Sequence, residues 1–188
     1  MAKSTKSNGQ ATTQFAKLEY HPLANLFPLL GETEIQTLSD DIRHNGLNVP
    51  VTMYEGKILD GRNRYAACIL AGVTPAFVDY EGQEPVKFVV STNLHRRHLN
   101  ESQRAMVAAK LANMRQGERT DREPCANLRK VDQTEAATLL NTSRRSVQQA
   151  KKVETEAVPE VVAAVEQGKV SVSIAATIAE ATPENSVK

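Results

Sequence analysis

The sequence predicts a mixed α+β domain with a small sheet, followed by an all-α domain. Three observations carry this expectation. Between residues 51 and 80, two segments have the length and composition of strands. After residue 100, the periodic segments all have helical spacing. Charge also divides the chain. Residues 91–152 carry 13 Lys/Arg against 6 Asp/Glu, whereas residues 1–90 carry 8 against 10 and residues 153–188 carry 2 against 6. A basic block between acidic flanks is the footprint of a surface that meets a polyanion.

Composition narrows the classes. The chain has 188 residues, 40% of them hydrophobic, but only 4% aromatic and no Trp, so its core is built from Ala, Val, Leu and Ile. No apolar run is long enough to cross a bilayer. The first residues, MAKSTKSNGQATTQ, lack the apolar stretch of a secretory signal and read as a disordered tail, set at 1–19. Cys68 and Cys125 stand far apart without a CxxC partner, which fits a reducing, cytoplasmic setting.

The elements follow in order. Ile35, Leu38 and Ile42 recur at helical spacing, Gly46 fits the helix C-cap, and Pro50 bars continuation. VTMYEGKILD reads as a hairpin turning at Glu55-Gly56. GRNRYAACILAG reads as a helix opened by Gly61 and closed by Gly72. AFVDY, residues 76–80, reads as a strand. Residues 85–92 fit either a strand or the start of a helix, and Pro85 favours the helix. Asn100 and Gln103 form a capping box before the apolar face of Ala105, Met106, Ala109, Leu111 and Met114. Residues 116–131 have no periodicity and read as a linker or mobile loop.

DQTEAATLLNTSRRSVQQAKKV has the pattern of a helix-turn-helix. Asp132 caps the first helix, Ala136 and Ala137 allow a close crossing, and Asn141-Thr142-Ser143 makes the turn. Ser143 caps the second helix, whose inward stripe is Val147, Ala150 and Val153. Ser143, Arg144, Arg145, Ser146, Gln148, Gln149, Lys151 and Lys152 are left for double-stranded DNA. Gln pairs with the adenine edge and Arg with the guanine edge in the major groove. Lys151 and Lys152, placed in the last turn, suit both the helix dipole and phosphate.

Two further segments carry phosphate chemistry. In ILDGRNRYAA, a strand enters a helix through Gly61, and the free N–H groups of a helix start favour an anion. Arg62 and Arg64 add forked donors, and Asn63 an amide. In STNLHRRHLN, Thr92, Asn93 and Arg96 stand together. Asn93 offers an oxygen to Mg²⁺ beside phosphates, and Arg96 reaches a phosphoryl group. His95 and His98 lack the partners of a zinc set. Asp60 is the carboxylate nearest these groups. It is the candidate catalytic base, although an Asp at such a point more often caps the following helix.

Five motifs in order resemble the ParB family. DDIRHNGLNVPVTM is similar to its helix-Gly-Pro-strand segment, and GRNRYAA to its GERRYRA motif. TNLHRRHLN resembles its ENxxRxxLN motif. DQTEAATLLNTSRRSV resembles its helix-turn-helix, and VPEVVAAVEQGKVSVSIAA the segment that follows. The resemblance spans roughly residues 20–180. It implies a ParB/sulfiredoxin-like nucleotide-binding domain at 20–99, a linking helix and mobile loop at 100–131, a helix-turn-helix domain at 132–182 and a tail at 183–188. It also implies a nucleoside triphosphate with Mg²⁺, CTP favoured over ATP, with Gly61, Arg64, Asn93 and Arg96 at the family's motif positions and Asn93 on the metal; Arg62, Asn63 and Thr92, beside them, complete the candidate nucleotide-binding set.

The departures bear on turnover. Arg62 and Thr92 stand where the family has Glu, and Asn63 where it has Arg. Losing two carboxylates favours binding over hydrolysis. The family's C-terminal dimerisation domain has no counterpart before Lys188, so a homodimer would be built from the residues present. The expected function is a nucleotide-responsive DNA-binding protein of plasmid, phage or chromosome partition, or of transcription regulation. The alternatives are an enzyme of the same fold (a nuclease, nucleotide hydrolase or phosphotransferase) and a DNA-binding module with a non-nucleotide interaction domain.

Overall fold

The computed structural model describes residues 18–96, 98–114 and 131–181, with residues 95 and 96 described by backbone alone. The sequence-predicted linker at 116–131, apart from Val131, and most of both tails lie outside the described residues, as does Cys125.

The front half is a three-stranded sheet packed with helices. Strands β1 (Val51–Tyr54) and β2 (Lys57–Asp60) form an antiparallel hairpin. Both turn residues have positive φ, Glu55 at 49° and Gly56 at 73°, the backbone that matches the right-handed twist of a tight hairpin. β3 (Phe77–Asp79) pairs parallel to β1, giving the order β2-β1-β3. Residues 19 and 20 also join β2. The amide of Ile58 donates to Glu19 O at 2.9 Å, and Tyr20 bridges to β2.

Helices α1 (Glu32–Asn45) and α2 (Arg62–Ala71) pair over a small core of Ile42, Ala67 and Cys68. A 3-10 turn, Pro22–Leu26, precedes them. Its cap is His21, whose Nδ1 accepts from Leu23 N at 3.2 Å. Residues 85–96 resolve the ambiguity of the sequence as helix α3 (Pro85–Arg96), which buries Val89 and Val90.

The rear half is all helical: α4 (Glu101–Asn113), α5 (Gln133–Leu139), α6 (Arg144–Glu156), α7 (Pro159–Glu166) and α8 (Val172–Ala181). The capping box of Asn100 and Gln103 is formed as the sequence predicts. The role of α4 is not. The sequence places it as a linking helix, but it packs against α5, α6, α7 and α8 and buries Ala105, Met106, Val107, Ala108, Ala109 and Leu111. Such a run, apolar nearly all round, marks a central helix. One core runs unbroken from Leu23, Phe27 and Leu59 through α4 to Val147, Val165 and Ala175. Among the described residues, no helix is long and apolar enough to cross a membrane.

Candidate nucleic-acid interface and phosphate cluster

Asp132 caps α5, accepting from the amides of Thr134 and Glu135 at 2.7 and 2.8 Å. Asn141 turns the chain with φ 48°, a left-handed conformation Asn tolerates. Ser143 Oγ then accepts from Ser146 N at 3.0 Å and starts α6. Val147, Ala150 and Val153 are fully buried against the core, so their helical phase fixes which side chains face out.

Arg144, Arg145, Gln148 and Lys151 are exposed, and Gln149 is half-buried at the flank. Among the described residues, none of these five side chains has a hydrogen bond or ion pair. The remaining three expected DNA-facing residues are engaged within the protein. Ser143 is the cap, Ser146 Oγ donates to Glu101 Oε1 at 3.1 Å, and Lys152 Nζ donates to Glu180 Oε1 at 2.5 Å. The expected dipole role of the lysines does not hold. α6 continues to Glu156, so Lys151 and Lys152 lie before its last turn, which has no basic residue.

The front cluster is built around Gly61, the N-cap of α2, with φ +99°. A Cβ here would also stand 2.8 Å from Arg64 Nη2, so this position needs glycine for both backbone and space. Arg64 folds back over the turn, and its Nη2 donates to Pro50 O and to Asp60 Oδ2, both at 3.1 Å. The other Asp60 oxygen accepts from Asn93 Nδ2 at 3.0 Å, and the same amide donates to Val89 O at 3.0 Å. Asp60 and Asn93 are buried, so β2, α2 and α3 are joined through one polar unit.

This geometry bears on the expected role of Asp60. Asp60 does not cap α2, because its oxygens go to Arg64 and Asn93. Those same bonds hold it as a strut, which argues against a free catalytic base. The Asn93 side-chain nitrogen is committed to Asp60 and Val89 O, and the residue is 5% exposed. Among the described residues, no group of three His, Cys, Asp or Glu could hold a metal. One feature does fit an anion: Arg64 Nε is buried and has no hydrogen-bond partner.

Arg62 faces elsewhere. Its Nη1 donates to Asn25 Oδ1 and its Nη2 to Phe27 O, both at 2.6 Å, with the guanidinium 5.8 Å from the Tyr20 ring centre. Asn63 Oδ1 accepts from Leu30 N at 3.4 Å. Thr92 is half-buried on α3, and the side chains of His95 and Arg96 lie outside the described residues. Arg62 lines an open cleft of about 750 Å³ with Asn25, Phe27, Leu29 and Glu34 from the front half and Gln103, Ala163, Glu166 and Gln167 from the rear. Gly61, Arg64 and Asn93 do not line it. The sequence therefore places in one group residues that the fold divides between a buried strut and a cleft wall.

No family model and no curated protein sequence matches the chain. Among solved structures, it is similar to the C-terminally truncated chromosome-partitioning protein ParB from Caulobacter crescentus complexed with CTP-gamma-S, at 22% identity, covering 88% of this chain and 89% of that one, with a TM-score of 0.36. The same protein complexed to the centromeric parS site aligns at 20% identity over 81% of this chain and 75% of that one, with a TM-score of 0.41. Likeness at this level leaves the site and the function to the chain's own geometry.

Proposed function

We propose that the chain reads double-stranded DNA with α6, and that its front half binds a nucleoside triphosphate that biases this reading. The carrying observation is the division of α6. Its inner stripe is sealed in the core, while the side chains of Arg144, Arg145, Gln148, Gln149 and Lys151 make no hydrogen bond or ion pair among the described residues. A helix with a rigid apolar back and uncommitted Arg and Gln in front suits the major groove.

The nucleotide reading rests on the turn at Gly61 and on the cleft. Arg64, with its unpartnered Nε, supplies a donor to a phosphate that reaches the start of α2. The cleft has the size of a small-molecule site and is walled by Arg62 on one side and by Gln103 and Glu166 on the other. A ligand there would touch both halves at once. CTP is favoured and ATP is the alternative, with Mg²⁺ arriving on the phosphates rather than held by a protein cage. Binding without turnover suits an Asp60 already bonded to Arg64 and Asn93. A homodimer would place two copies of α6 on adjacent half-sites. Partition or transcription regulation is the corresponding role.

The test is duplex-DNA affinity measured with and without CTP, ATP or GTP, alongside calorimetry of each nucleotide with Mg²⁺. Binding heat from one nucleotide and a changed DNA affinity are expected. No duplex binding under any salt condition would end the DNA reading. No heat from any nucleotide would end the second half of the proposal.

A further inference from the structure

Two acids from other helices reach α6, one near each end. Lys152 Nζ is 2.5 Å from Glu180 Oε1 of α8 and 3.7 Å from Glu156 of α6 itself. At the opposite end, Glu101 of α4 accepts from Ser146 Oγ in the first turn of α6, where free N–H groups and the helix dipole would draw a phosphate. Neither contact is forced by burial. The Lys152 side chain is 32% exposed and that of Glu180 is 60% exposed. The bond to Glu180 is the main reason the Lys152 ammonium holds its proton above the ordinary lysine range.

Glu101 is also fixed in place. Its neighbours in the first turn of α4 each bind another helix. Ser102 Oγ accepts from Val172 N at 3.0 Å, and Gln103 Nε2 donates to Glu166 O at 2.8 Å. The carboxylate is thus held against α6 by α4, which is itself anchored to α7 and α8.

We infer that Glu180 and Glu101 are affinity-limiting residues, which lower the affinity of α6 for any duplex by competing with DNA phosphates. The inference rests on the proposed DNA reading. A phosphate must displace a carboxylate from Lys152 and must approach Ser146 against the charge of Glu101. Base contacts from Arg145 and Gln148 carry no such penalty. Backbone affinity is sequence-independent, so this penalty falls on every duplex alike and sets the overall strength of binding.

The experiment measures the affinity of the full chain for a random-sequence duplex across a salt series. Glu180→Gln is expected to raise affinity about two- to five-fold at low salt and to steepen the log–log salt slope by about one unit, the value of one phosphate contact. Glu101→Gln, which keeps an oxygen for Ser146, is expected to raise affinity as well. Glu160→Gln removes the same charge from the exposed start of α7 and is expected to change little. Lys152→Ala is expected to abolish the gain of Glu180→Gln and to cost more in that background than in the wild type. The inference is overturned if Glu180→Gln and Glu160→Gln shift affinity equally, or if Lys152→Ala costs the same in both backgrounds. Arg145→Ala separates the two proposals. If it weakens binding while the acid variants do nothing, only the inference falls. If it leaves binding unchanged, the DNA reading falls and takes the inference with it. Thermal melts confirm that each variant is folded.

Discussion

The amide of Asn93 donates to the carboxylate of Asp60 at 3.0 Å, which ties α3 to the last residue of β2. Arg64 takes the other Asp60 oxygen. Two residues that read in sequence as phosphate-site ligands, Arg64 and Asn93, and the candidate base Asp60 are, in the fold, each other's partners. A ligand that drew Arg64 away would loosen Asp60, and through it Asn93 and α3. That gives a nucleotide a physical route to the chain leading into α4.

This unit predicts a stability effect before any functional one. Asn93→Ala removes a buried hydrogen bond to a charged group and is expected to cost about 1.5–3 kcal/mol. Asp60→Asn leaves the largely buried Arg64 without its counter-charge and is expected to cost about 3 kcal/mol or more. Urea denaturation of both variants and of the double variant checks this. Strict additivity would show that the three side chains do not act as a unit.

A second prediction concerns pH. His21 is fully buried, and burial, helped by the nearby Lys57 charge, lowers its pKa from 6.5 to about 4. Glu55 opposes this, but its Oε2 lies 4.0 Å from Nε2 and its side chain is partly exposed, so burial prevails. The unfolded chain therefore takes up the His21 proton first. The stability this provides is present above about pH 6.5 and lost as pH falls towards 4. The loss is about 3 kcal/mol at most, at 1.4 kcal/mol per pKa unit. The wild type is expected to lose more stability than His21→Gln between pH 7 and pH 5. Parallel pH dependence in the two proteins would remove His21 as the cause.

Much of the fold was legible because it is local. The Glu55-Gly56 turn, the caps at Asn100, Asp132 and Ser143, and the inward stripe of Val147, Ala150 and Val153 are set by residues within one or two turns of each other. The site was less legible because its contacts are distant. Arg62 and Arg64 are two residues apart, yet helical geometry turns one to Asn25 and Phe27 and the other to Asp60. Nothing near Glu101 in sequence points to Ser146, and Glu180 reaches Lys152 from another helix. The central place of α4 was hidden too, since an alanine-rich helix reads as a linker until four others are seen against it.

Gly168 offers a test of that central helix. It has φ +73°, and a Cβ there would stand 2.8 Å from Asn100 Nδ2 and 3.2 Å from Gln103 Nε2. Gly168→Ala thus combines backbone strain with a clash against the cap of α4, and is expected to cost about 2 kcal/mol or more. Gly72→Ala is the control, a left-handed helix cap with φ +70° and nothing within 4 Å of its Cβ. If the two cost the same in thermal denaturation, the close approach to Asn100 carries no energy.

The outer face of α6 separates affinity from specificity. Lys151 is exposed on that face beside the core-facing Ala150, so its expected role is phosphate contact. Lys151→Ala should weaken all duplexes alike and reduce the salt slope by about one. Gln148 points straight out between Arg144 and Lys151, and its amide suits a base edge. Gln148→Ala should leave the salt slope unchanged and cost about 1–3 kcal/mol on the preferred sequence alone. A selected-site binding series on both variants checks this. Equal weakening of every sequence by Gln148→Ala would mean that α6 tracks the backbone, and that another element reads the bases.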